Sequence, residues 1–147
     1  MSYYPPTFNQ SVTLFSQHKH LDSKTNRTVI VWKKTILKKC FWGTEIAKNL
    51  NGNVLVQTNS FICRIPQSDK YLMPLEWSER EYDKLYEYFS FSVGDVIVRG
   101  IVSDEIDDIQ GSRVSDFLEK YKENAFTVKT ITENTAIPYA PHYKVTG

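Results

Sequence analysis

Between Thr28 and Trp42 the chain carries Val29, Ile30, Val31, Trp32, Ile36, Phe41 and Trp42, its densest run of β-branched and aromatic residues. Such side chains lose χ1 freedom in a helix and pack well on a pleated strand, so the segment reads as β. Strict alternation fails at Lys33-Lys34 and again at Lys38-Lys39, and each doublet shifts the apolar pattern by one position. The reading is two strands separated by a turn or bulge near Lys33-Lys34. Trp32, Ile36 and Cys40 also share a helical i, i+4 spacing; the β-branched content favours strands over that helix.

The remaining segments point the same way. Ser11 to Phe15 is a strand candidate, and polar Gln17 to Arg27 reads as a loop or hairpin tip. Asn51-Gly52-Asn53 is a turn signal, followed by Val54 to Val56 and Phe61 to Ile65 as one bent strand or two short ones. Asp95 to Val102 is the clearest strand; Ala125 to Thr132 and His142 to Thr146 are two more. Two helices are expected. Ser78 and Glu81 form a capping box ahead of Tyr82, Leu85, Tyr86 and Phe89 at i, i+3, i+4 and i+7. Arg113 to Asn124 places Val114, Phe117, Leu118 and Tyr121 on one face, with Asn124 as a left-handed cap.

Strands without regular intervening helices disfavour a parallel sheet. The expected fold is mainly β: a small antiparallel β-barrel with one or two short helices, because closure hides strand edges. A length of 147 residues makes it one domain, 1–147, with an extended N-terminal arm over 1–10 and an aromatic-rich insertion over 67–94. Val12, Leu14, Val96, Val98, Phe126 and Val128 are the expected barrel interior, with Phe117, Leu118 and Tyr121 packed against it.

Function classes narrow by exclusion. The longest uninterrupted apolar run is four residues, Val29–Trp32, far short of the ~20 a membrane helix needs. No basic stretch followed by an apolar block opens the chain, so no secretory signal is expected. The net charge of +1 provides no global field for nucleic acid or membrane. No phosphate-binding glycine loop, zinc-protease or nucleophile-elbow motif is present. Cys40 and Cys63 read as buried thiols; a zinc site with His18, His20 and His142 would need long-range coincidence, and the absence of a visible secretory signal argues against a disulfide. His18-Lys19-His20 sits in a polar segment and reads as solvated. No enzymatic activity, metal or cofactor is expected.

Charge is uneven along the chain. Arg27 to Lys48 holds six basic residues, Lys33, Lys34, Lys38 and Lys39 among them, against one acidic residue, Glu45. Asp104, Glu105, Asp107 and Asp108 put four carboxylates in five residues. Measured from Asp104, positions six and twelve of a calcium loop are Ile109 and Ser115, so an EF-hand is excluded. The basic band with Trp32, Phe41 and Trp42 interleaved fits a barrel surface that stacks single-stranded nucleic acid. The near-neutral overall charge favours instead a half-buried strand with its aromatics inward and lysines outward. Either way, the eight charged residues are candidate interaction residues, and the asymmetry suits head-to-tail contacts between copies of the chain.

Several segments in this order, Ser11–Phe15, Thr35–Trp42, Phe61–Pro66, Lys70–Trp77, Gly94–Gly100, Ala125–Lys129 and Pro141–Val145, span nearly the whole chain. Together they resemble a family of small head completion proteins, stopper-like components of the head–tail connector in phages and prophages of Gram-positive hosts. That resemblance implies a structural virion protein: a homo-oligomeric ring, usually a hexamer, around the DNA channel. Its partners would be portal or adaptor proteins, tail terminator or tail tube proteins, and packaged double-stranded DNA. Its place would be the head–tail interface of the virion, after assembly in the host cytoplasm, with no membrane. A tail terminator would form a similar ring but with more α/β alternation.

Overall fold

A computed structural model describes residues 4–22, 24–106 and 113–147. Strands β1 (Gln10–Asp22), β2 (Arg27–Asn51) and β3 (Val54–Pro66) are followed by helix α1 (Pro74–Glu79), strand β4 (Val96–Arg99) and helix α2 (Val114–Lys120). Strands β5 (Ala125–Thr127), β6 (Thr130–Asn134) and β7 (His142–Thr146) complete the chain. All seven strands pair antiparallel in the order β5-β4-β1-β2-β3-β7-β6, so the protein is mainly β with two short helices.

Strand β2 does not turn at Lys33-Lys34: its ladder with β1 is unbroken there, with Phe15 opposite Lys34 and Ser16 opposite Lys33. The apolar pattern shifts because the strand changes the face it buries. Trp32 packs on one side of the sheet and Leu37 on the other. The irregularity lies at the second doublet. Gln10 faces Cys40 but Val12 faces Leu37, and Lys39 has φ 59°. The extra residue of this bulge returns Cys40 to the side that buries Leu37 and leaves Lys38 and Lys39 exposed. Beyond the bulge β2 leaves β1 and pairs with β3 from Phe41 onward.

Two apolar layers result. The first gathers Val12, Leu14, Leu37, Ile97, Phe126 and Val128 with residues of β3 and β7. The second lies under α2, where Phe117 meets Phe15 edge-on at 4.9 Å, with Val96 and Val98 beneath. All six expected core residues are buried. Val96 and Val98, however, lie on the opposite face from Val12 and Leu14, and Ile97 takes the inner position. A strand buried on both faces reads as a continuous apolar run and carries no record of which side is which. On α2, Val114, Phe117, Leu118 and Tyr121 do face the sheet, while the positive φ falls at Glu123 instead of Asn124.

The insertion differs from the expected helix. Pro74 stands at the first position of α1, where its missing N–H costs nothing, and Ser78 lies in the last turn of that helix, so the expected capping pair Ser78 and Glu81 starts none. Ser78 Oγ donates back to Leu75 O at 2.8 Å. Tyr82–Lys84 is a single 3₁₀ turn. Leu85 and Phe89 are buried in different clusters, which one helical face cannot achieve. Leu72, Trp77 and Leu85 form a small core of their own, tied to β1 by Trp77 Nε1 donating to Gln17 O at 3.1 Å.

Two expected loops are structured. β1 and β2 pair out to Asp22 and Arg27, so the polar 17–27 segment is mostly strand. Tyr4 and Phe8, expected in an extended arm, pack back on the body: the Tyr4 hydroxyl donates to Pro141 O at 2.6 Å, and the Phe8 ring lies 6.2 Å from that of Phe41.

At its far end β2 continues with β3 as a two-stranded ribbon. Glu45 faces Ser60, and the pairing runs to Asn51 opposite Val54, past the last contact of β7 with β3. Asn53, Val54 and Leu55 at its tip are exposed.

Candidate functional site

Lys33, Lys34 and Lys38 line one cleft, together with Glu105. Lys39 sits exposed on the bulge, outside the cleft lining. Asp107 and Asp108 lie outside the described residues.

The acidic segment and the basic band meet within one chain. Lys34 Nζ lies 3.3 Å from Glu105 Oε1 and 3.5 Å from the Asp104 carbonyl. Asp104 is held by Lys120 Nζ at 2.5 Å and by the Tyr121 hydroxyl at 2.8 Å. The hydrogen bonds from Lys120 and Tyr121 pull its carboxyl below the usual carboxylate range. Part of the charge complementarity expected between copies is thus already satisfied inside a copy.

The cleft, of about 730 Å³, exists because β2 changes partners. From Lys33 to Lys38 one edge of β2 is paired with β1, and β3 joins the other edge only at Phe41. The opposite wall is the end of β3 (Ile65), the chain just after it (Gln67, Lys70) and the loop carrying Tyr86, Glu87 and Phe89. Lys33 is half-buried, and burial pushes its ammonium below the ordinary lysine value, partly offset by Glu87. Lys70 lies 4.0 Å from Glu87 and 5.5 Å from the Tyr88 ring centroid. Lys70 and Glu87 were not among the expected site residues, because only the folding of the insertion brings them to β2.

The aromatic residues of the basic band are not displayed for stacking. Trp32 is buried beneath α2, Trp42 packs on Phe61 and Phe126, and Phe41 is half-buried under Phe8 and Arg64. Cys40 and Cys63 are both buried and free, as expected of core thiols. A hydrogen bond to Cys40, together with burial, holds the Cys63 thiol well above its ordinary value. Among the described residues no three His, Cys, Asp or Glu side chains are grouped to hold a metal. No described helix is long and apolar enough to cross a membrane.

The burial of two polar side chains, His18 and Asp95, is not legible in the sequence. His18 is buried instead of solvated, because α1 covers it. Its Nε2 lies 3.1 Å from Trp77 O and 2.8 Å from Arg80 O, and its Nδ1 has no partner. The side chain of His20 lies outside the described residues. Asp95, 1% exposed, accepts from the backbone N–H groups of Gln17 (3.0 Å) and Ser92 (2.8 Å). Burial pushes its carboxyl up to about 7, although both hydrogen bonds act in the other direction.

No curated protein and no solved structure matches the chain. One family profile does, over residues 7–147, nearly the full length, and its core strands, insertion and cleft all fall inside that match. The chain therefore belongs to the family described as Family of unknown function (DUF6751).

Proposed function

We propose that this chain is a structural subunit that assembles into a homo-oligomeric ring, as a stopper-like head completion component of a phage head–tail connector. The observation that carries the assembly part is the β2–β3 ribbon. Beyond Phe61 its strands pair only with each other, so both outer backbone edges lack a strand partner among the described residues. An isolated two-stranded hairpin is marginal in water, and open edges invite pairing with another chain. A neighbouring copy in a closed ring supplies that partner at every position. The resemblance over nearly the whole chain supports the connector role.

The same reading takes the sheet as a closed barrel. The strand order begins with β5 and ends with β6, which are consecutive parts of Ala125–Asn134. Between them Val128 N–H donates to Asp95 O at 2.7 Å and Lys129 N–H to Thr146 O at 2.8 Å. One segment thus spans from the β4 side to the β7 side, which supports closure through the chain itself. A rigid barrel with a projecting ribbon suits a ring subunit lining a DNA channel.

The test joins Glu45 to Ser60, a cross-strand pair, through an Asn-Gly turn in place of residues 46–59. Light scattering and native mass spectrometry should find rings for the intact chain, alone or on its portal partner. The shortened chain should remain a folded monomer. Virions lacking the protein should lose DNA and fail to join tails. An intact chain that stays monomeric with every connector partner, or complete virions formed without it, would overturn the reading.

A further inference from the structure

We propose that the cleft beside Lys33–Lys38 takes an extended acidic peptide segment of a partner protein, added as a strand on the edge of β2 opposite β1. The inference does not depend on ring formation. Six residues of β2 present about 17–20 Å of strand, the length of an ordinary β-strand. In an antiparallel strand alternate residues turn their N–H and C=O groups to opposite edges. Over Lys33–Lys38 one set serves β1, while no strand pairs with the other set among the described residues. That other edge runs along the cleft, whose lining includes all six of these residues and none of β1. Peptide addition to a sheet edge draws affinity from such main-chain groups and specificity from alternate side chains.

The two faces of the slot differ. On one, Leu37 lies with Ile65 and Phe89 in the inner core cluster, so an added strand meets apolar surface there. On the other, Lys34 and Lys38 flank Ile36; Lys70 also lines the cleft. An added strand alternating apolar and acidic residues would satisfy both. Four lysines line the cleft against two glutamates, Glu87 and Glu105. Those two carboxylates disfavour a continuous phosphate backbone, and of the aromatic rings in the lining Phe89 is buried, which leaves only Tyr86 exposed as a platform for a base. The arrangement therefore favours a peptide over a nucleic-acid strand.

The test uses the full chain and a peptide of alternating valine and glutamate, about eight residues long, to match a strand. Hydrogen exchange read by mass spectrometry should show new protection confined to 33–38 and the facing wall. A valine–lysine peptide should give none. Methylating alternate backbone nitrogens of the valine–glutamate peptide, on the edge that pairs, should abolish the protection. The double change Lys38→Glu with Lys70→Glu should weaken binding at least about tenfold, or ~1.4 kcal/mol, with exchange elsewhere unchanged. Equal binding of the valine–lysine or methylated peptide, protection elsewhere, or no protection at any soluble concentration would overturn the proposal. So would an oligothymidylate that protects 33–38 where the peptide does not.

Discussion

Lys34 and Glu105, 71 residues apart, meet at 3.3 Å where the basic strand passes the acidic loop. Glu105 is well exposed, so the pair contributes little to stability, ~0–1 kcal/mol. It marks where the segment after β4, anchored by buried Val102 and Ile106, passes the cleft side of β2.

Replacing Asp104, Glu105, Asp107 and Asp108 together with Asn and Gln should lower the melting temperature only slightly, since solvent-screened pairs such as Lys34–Glu105 add little and an amide at 104 still accepts from Tyr121. Under the connector reading it should impair ring assembly or DNA retention. Particles that package, hold DNA and join tails normally would remove the acidic segment from that role.

Phe126→Ala should cost about 3–5 kcal/mol, measured by urea unfolding. The ring is 4% exposed and lies parallel to Phe61 at a centroid distance of 5.7 Å, with Trp42 at 5.5 Å, so its removal leaves a cavity that rigid neighbours cannot fill. A loss below about 1 kcal/mol would mean that the site collapses or that the ring is not buried.

Asp95 gives the fold a pH dependence of known sign. Its folded value of about 7 lies above the model-peptide value of 3.8, so between these the folded chain binds more protons than the unfolded one. Its contribution to unfolding free energy therefore falls as pH rises from about 4 to about 7 and is level above. Asp95→Asn should flatten that slope. It should also cost ~1–3 kcal/mol at low pH, because the amide offers one acceptor oxygen to two backbone N–H groups. Urea midpoints taken at intervals across this range read both effects.

Cys40 and Cys63 should resist a water-soluble thiol reagent in the folded chain and react fully in denaturant, because both are entirely buried. Protein purified without chelator should contain no stoichiometric zinc. Rapid labelling of the native chain, or one zinc per chain, would show these thiols doing something other than packing.

Local pattern alone determined the β class, the position of most strands, the buried face of α2 and the two core thiols. These are properties of short windows, where side-chain shape and a period of two or 3.6 leave a direct mark. Tertiary structure decided the rest. Val96 and Val98 separated from Val12 and Leu14 because a strand buried on both sides has no polar face to orient it. The Lys33-Lys34 doublet marks a change of buried face and Lys38-Lys39 a bulge, two causes with one sequence signature. His18 is buried because α1 lies over it, and α1 begins at Pro74 because packing of Trp77 outweighs a capping box that leads nowhere. The cleft could not be read at all in advance. It forms where β2 exchanges β1 for β3, and its second wall comes from an insertion whose placement depends on contacts between residues far apart in the chain.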